Sequence, residues 1–210
     1  MKTNTIILDL DDTIFQTKSI DAKIFEPFFK HLVLNLKPNF NQQDIERITS
    51  DLWQRPFDVV IKKYNIPLST VTESIDLLEN LDLHLNISTF HDYTFIKNLK
   101  TQKLLVTTGI TALQIAKIKA LKIENDFDKI VINDTLKESK TKQDIFNDLK
   151  LEFNLNPETT FVIGDNPESE IEAGNALNFI TIQILRNNVI KGGNAKYYIN
   201  SFAELDLIIN

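Results

Sequence analysis

Ile6-Ile7-Leu8-Asp9-Leu10-Asp11-Asp12-Thr13-Ile14 decides how the rest of this chain is read. An apolar run leads straight into three carboxylates within four positions, and then a threonine. The apolar residues predict a buried strand, and the polar cluster marks its carboxyl end. Three neighbouring acids repel one another, an expensive arrangement unless a cation or a proton sits among them. Side chains alternate along an extended segment, so Asp9 and Asp11 can share a face. Such a pair can hold a divalent cation such as magnesium, or divide a task between nucleophile and proton donor. The plainer alternative is a solvated acidic turn.

The chain around this stretch has 210 residues, a net charge of −6, 42% hydrophobic residues and no cysteine. That length suits one α/β domain with an insertion and is ample for a core. Without cysteine there is no disulfide and no thiolate metal site, which fits a reducing compartment. The first twelve residues read as a strand rather than a signal peptide. No apolar stretch approaches a membrane span. The mild acidity gives no reason to expect nucleic acid as a partner.

Beyond Thr13 the pattern turns helical. Apolar residues from Ile20 to Leu36 recur at helical spacing, with Pro27 marking a kink or a start. Asn41 caps a second helix through Trp53. Pro56 opens a short third segment, and Pro67 to Leu81 forms a fourth. Four helices without a strand read as an insertion, since crossovers are normally short. From Leu83 an α/β rhythm begins. Strands are expected at Lys103–Gly109, Phe127–Asn133, Thr160–Asp165 and Phe179–Leu185, with a short edge strand at Lys196–Ile199. Helices are expected at Thr111–Leu121, Lys142–Phe153, Pro167–Leu177 and from Ser201. The alternation predicts an α/β fold with a doubly wound, mostly parallel, Rossmann-like sheet.

In such sheets ligands bind beyond the carboxyl ends of the strands. Asp9, Asp11, Thr13, Thr107, Thr108 and Asp165 therefore converge, with Lys140 or Lys142 at a helix entry. Each suits a task in phosphoryl transfer. Asp9 would attack phosphorus, and Asp11 would protonate the leaving oxygen and then activate water. Magnesium would be held by Asp9, Asp165 and the Asp11 carbonyl. A threonine hydroxyl, backbone N–H groups and a lysine would hold the phosphoryl oxygens.

These stretches resemble the haloacid dehalogenase-like (HAD) hydrolase superfamily over nearly the whole chain. Asp9-Leu10-Asp11-Asp12-Thr13 fits its DxDxT signature, and Leu105-Val106-Thr107-Thr108-Gly109 its second motif, where many relatives carry Asn at the place of Thr108. Lys140-Thr141-Lys142-Gln143-Asp144-Ile145-Phe146 is similar to the third motif, with Thr141 replacing the usual proline, and that register favours Lys140 over Lys142. Gly164-Asp165 followed by Glu170 is similar to the fourth, with Glu170 in place of an aspartate that would hydrogen-bond a metal-bound water. The resemblance implies the phosphatase branch with a C1-type helical cap. It sets an α/β core at 1–16 and 83–210 and the cap at 17–82. It assigns catalysis to Asp9, Asp11, Thr107 and Lys140, phosphate contacts to Thr13, Thr108 and Gly109, and magnesium to Asp9, Asp11 and Asp165.

The expected activity is magnesium-dependent hydrolysis of a small phosphate ester through an aspartyl phosphate, in a cytoplasmic monomer or homodimer without nucleic-acid or membrane partners. Asp11 separates this from the dehalogenase branch. The alternatives are a phosphomutase of the same family and a non-catalytic binding module on the same fold. A receiver-like signalling domain shares the acidic pair, threonine and lysine, but is about half this length. His31, His84 and His91 show no metal-ligand spacing. Gln16 and Arg55 are the specificity candidates near the insertion.

Overall fold

In a computed structural model the described residues are 4–53, 55, 57–81, 83–187 and 189–209. The first strand, β1, spans Thr5–Leu8 and every one of its residues is buried. Among the described residues it is followed by the helices α1 (Glu26–Leu36), α2 (Gln42–Leu52), α3 (Phe57–Lys63) and α4 (Leu68–Asn80). Pro27 sits in the first turn of α1, where a missing N–H costs nothing, so the helix starts there rather than kinking. A short 3-10 turn, Ala22–Phe25, leads into it. Asn41 caps α2 by accepting from the Asp44 N–H. Pro56, expected to open the third helical segment, lies outside the described residues, as do Asp82 and residues 1–3.

The α/β part follows as α5 (Tyr93–Asn98), β2 (Gln102–Thr108), α6 (Thr111–Leu121), β3 (Lys129–Asn133), α7 (Lys142–Glu152) and β4 (Thr160–Gly164). A π-helical turn at Pro167–Ile171 runs into α8 (Glu172–Ala176), where the sequence reads as one plain helix. The chain continues with β5 (Ile180–Ile184), β6 (Tyr197–Ile199), a 3-10 turn at Phe202–Leu205 and α9 (Asp206–Ile209).

The six strands form one sheet in the order β3-β2-β1-β4-β5-β6, and every pairing is parallel. The chain leaves β1 for β2 and β3 on one side, then returns to β4 on the other. The direction therefore reverses at β1, and the crevice beyond its carboxyl end is the expected ligand position. Alternation sorts the core. Ile6 and Leu8 pack with Leu105, Ile163 and Ile118 on one face, and Ile7 packs with Val106, Val162 and Phe146 on the other. The four-helix segment has its own apolar cluster, including Phe28, Leu32, Ile48 and Ile75, which Ile110 and Leu113 join to the sheet side. Among the described residues no helix is long and apolar enough to cross a membrane.

Candidate active site

β1 ends at Leu8, but the Asp9 N–H still donates to the Ile163 carbonyl, so the strand register carries through Asp9. Its carboxylate is buried, as is that of Glu170, while Asp165 is half-buried, and one oxygen from each lies within 4.8 Å of the others. Burial, above all, pushes the Asp9 carboxyl well above the usual carboxylate range. Lys142 opposes the rise, while Glu170 and Asp11 add to it. Asp165 is pushed up to about 8, first by burial and then by the charges of Glu170, Asp9 and Asp12.

Among the described residues one cation meets this cluster. Lys142 Nζ lies 2.6 Å from Asp9 Oδ1 and 3.0 Å from Glu170 Oε2. Burial alone would lower the lysine's pKa, but the charges of Asp9 and Glu170 outweigh it and raise it. One ammonium against three carboxylates leaves two negative charges when all are ionised, which a divalent cation would balance. All the donors are oxygens, the set that magnesium takes. The residues therefore fit the ion that the motifs imply.

Lys142, not Lys140, is the lysine at this site. Lys142 is the first residue of α7, and its side chain reaches back towards the strand ends, as helical side chains point N-terminally. Lys140 lies ahead of the cap, exposed, and pairs with Asp148 at 2.8 Å. Thr141 explains the departure from proline. It caps α7 in a reciprocal box with Asp144, which fixes the helix start and so the place of Lys142.

Glu170 is closer to the centre than the reading of it as a water-binding outer residue. Its Oε1 accepts from the Asn166 N–H at 2.7 Å while Oε2 meets Lys142. Its longer arm fits because position 164 is glycine: a Cβ there would stand 2.2 Å from Glu170 Cγ. Asp11 points elsewhere. Lys117 Nζ lies 2.7 Å from its Oδ1, and Gln114 Nε2 donates to its Oδ2 at 2.9 Å.

Two of the three expected phosphate contacts have other partners. The Thr13 hydroxyl is fully buried and donates to Asp165 Oδ1 at 3.3 Å, so it steadies that carboxylate. The Gly109 N–H donates to the Asn133 carbonyl at 3.0 Å, within the sheet pairing. Gly109 is instead needed for its backbone, with φ at 149° and Gln114 pressed against it. Thr108 ends β2 opposite Asn133, and its carbonyl accepts from Gln114 Nε2. Thr107 Oγ1 also accepts from Gln114 Nε2, which leaves its own hydroxyl proton free to donate.

The loop after β1 is latched from behind. Arg186 donates to the Thr13 carbonyl from Nε and Nη2, at 3.3 and 3.1 Å, and to Asp92 Oδ2 from Nη1 at 2.8 Å. Its guanidinium sits between the rings of Phe90 and Phe202. The same Asp92 oxygen accepts from the Ser201 hydroxyl and the Phe202 N–H.

Sequence reading missed Gln114, Lys117, Asp92 and Arg186. For the first two a signal existed. Positions 114, 117, 118 and 121 recur at helical spacing and form the buried stripe of α6, so a glutamine and a lysine stand where apolar residues are the rule.

The model of the haloacid dehalogenase-like hydrolase family matches residues 6–184. The chain belongs to that family. No curated protein matches this family member in sequence. Among solved structures it is similar to a HAD phosphatase from Thermococcus onnurineus, at 16% identity and a TM-score of 0.66, covering 99% of this chain and 98% of that one. It is similar to CbbY from Rhodobacter sphaeroides in complex with phosphate, at 15% and 0.66, covering 97% and 96%. It also resembles YfnB from Bacillus subtilis bound to magnesium, at 16% and 0.62, covering both chains fully. At these identities the likeness is one of fold.

Proposed function

We propose that this HAD-family chain is a magnesium-dependent phosphatase acting on a small phosphate monoester. The observation that carries the reading is the group of buried Asp9 and Glu170 and half-buried Asp165, with Lys142 against Asp9 and Glu170, at the sheet's switch point. The magnesium in YfnB and the phosphate in CbbY agree with it.

Asp9 attacks phosphorus, and the bond to the leaving oxygen breaks as Asp11 delivers a proton to it. Water then gives a proton to Asp11 and attacks the aspartyl phosphate, releasing phosphate and restoring the Asp9 carboxylate. Lys142 and the Thr107 hydroxyl hold phosphoryl oxygens as charge spreads over them. Lys142 takes the part that the motif register gives Lys140. Asp9, Asp165 and the Asp11 carbonyl, with Glu170 close by, would hold magnesium, which would supply positive charge against the incoming phosphate. The helices α1 to α4 act as the cap, closing over the site and excluding water.

The test is phosphate release from sugar phosphates, nucleotides and small acid phosphates, with and without magnesium and with Asp9→Asn as the blank. Multiple-turnover release of phosphate is expected. Transfer to a second substrate without release would make the chain a mutase, and no magnesium-dependent turnover on the whole panel would refute the enzyme reading. Asp11→Asn is expected to lower turnover about 10²–10⁴-fold; unchanged turnover would remove the acid–base role.

A further inference from the structure

Asp11 is gripped by groups that the reaction scheme above does not use. Lys117 is buried on α6, with its ammonium 2.7 Å from Asp11 Oδ1 and 5.9 Å from the centre of the Phe15 ring. Gln114, also buried, donates from Nε2 to Asp11 Oδ2, and the same nitrogen meets the Thr107 hydroxyl and the Thr108 carbonyl. Gln114 Oε1 is buried without a partner among the described residues. The Thr17 hydroxyl adds a longer contact to Asp11 Oδ1 at 3.4 Å.

This is a costly way to fill a helix face. Burying a lysine and a glutamine against one carboxylate is on balance no better for stability than packing hydrocarbon there. An orphaned amide oxygen makes it worse. What the arrangement does supply is direction. Two donors from one helix, three residues apart, fix both oxygens of a carboxylate whose own backbone lies in a loop. The Gln114 amide also ties that carboxylate to Thr107, the hydroxyl assigned to the phosphoryl group. The proton donor and the phosphoryl-binding hydroxyl are thus set relative to each other by one side chain.

We infer that Lys117 and Gln114 are positioning residues for proton transfer: they hold Asp11 where the leaving oxygen departs, and touch no substrate themselves. The inference rests on the phosphatase reading and deepens it. A displacement of about 1 Å in such a group costs on the order of 10²-fold in rate. The loss must fall on leaving groups that need a proton and spare those that do not. A purely structural role for Lys117 would affect all esters alike.

The experiment compares p-nitrophenyl phosphate, whose leaving group departs unaided, with benzyl phosphate, whose alkoxide needs a proton. The readout is kcat/KM, which reports the step in which the leaving oxygen departs. Lys117→Met is expected to lower it about 10–100-fold on benzyl phosphate and to leave p-nitrophenyl phosphate within about twofold. Gln114→Leu also releases the Thr107 hydroxyl, so it is expected to lower kcat/KM on both esters, and on benzyl phosphate about 10-fold further. In an Asp11→Asn background, adding Lys117→Met should change benzyl phosphate turnover by no more than about twofold, because its only route of action is already gone. Equal losses on the two esters, or losses that multiply in the double variant, would overturn the inference while leaving the phosphatase reading intact. A wild-type chain inert on both esters with magnesium would overturn the phosphatase reading and the inference with it.

Discussion

Replacing Lys142 by methionine keeps the length of the side chain and removes the one ammonium that meets both Asp9 and Glu170. Breaking a buried ion pair from one side costs about 3–5 kcal/mol, because the remaining charge stays buried. The upper end is capped. Asp9 is already raised to about 7, so an orphaned Asp9 can take a proton near neutrality at little cost. A loss at the low end, about 3 kcal/mol, is therefore expected in the absence of metal. For a chain of this size that lowers the melting temperature by roughly 6–12 °C. Lys142 itself holds its proton, since its pKa is raised, so near neutrality the pH dependence of the loss comes from the carboxylates. The loss should shrink as the pH falls below about 7, where Asp9 carries a proton with or without the lysine. Turnover should fall about 10²–10³-fold, the usual effect of removing one donor to a developing oxyanion. The control is Lys140→Met, whose exposed pair with Asp148 predicts unchanged melting and turnover. Thermal unfolding followed by circular dichroism in EDTA, and phosphate release in magnesium, measure both effects. If Lys140→Met were the damaging change, or the two variants behaved alike, the placement of Lys142 beside Asp9 would be refuted.

Three other outcomes follow from the same geometry. Gly164→Ala places a methyl group 2.2 Å from Glu170 Cγ; the displaced carboxylate should weaken magnesium binding about 10–100-fold by calorimetry, and unchanged affinity would mean that Glu170 does not contribute. Arg186→Met leaves Asp92 buried without its cation and should cost about 3–5 kcal/mol, read as a lower melting temperature; a shift of less than a degree or so would deny the latch any part in stability. With Asp165 raised to about 8 in the ion-free chain, the folded state keeps a proton that the unfolded state releases, so stability should fall as the pH climbs from about 4 to about 8. Magnesium binding must displace that proton, so its affinity should rise over the same range and then level off. A pH-independent affinity in calorimetry would contradict this.

The sheet could be read in the sequence because its strands are short apolar runs that end in hydroxyls or acids, and parallel strands buried on both faces have that signature. The placement of Asp9 and Asp165 just past strand ends was legible for the same reason. What failed was resolution at the level of single side chains. Lys140 and Lys142 stand two apart in one charged run, and only the cap at Thr141 decides which lies inside the helix. Thr13 and Gly109 have the residue types of phosphate contacts, but their donors face Asp165 and Asn133, which the motif alone does not reveal. Lys117 left a trace as a charge inside an apolar stripe. Arg186 left none, because its partners stand at Thr13, 173 positions away, and Asp92, 94 positions away.

That last separation has a consequence for how the molecule comes into being. Asp92 joins Arg186, Ser201 and Phe202, and Arg186 in turn grips Thr13, whose hydroxyl steadies Asp165. A nascent chain emerging from the ribosome holds Asp9 almost from the outset, yet the clasp behind the loop that follows it closes only when residues near 200 have left the exit tunnel. Fragments cut short before Arg186 would carry every acidic motif and still lack the brace that sets them.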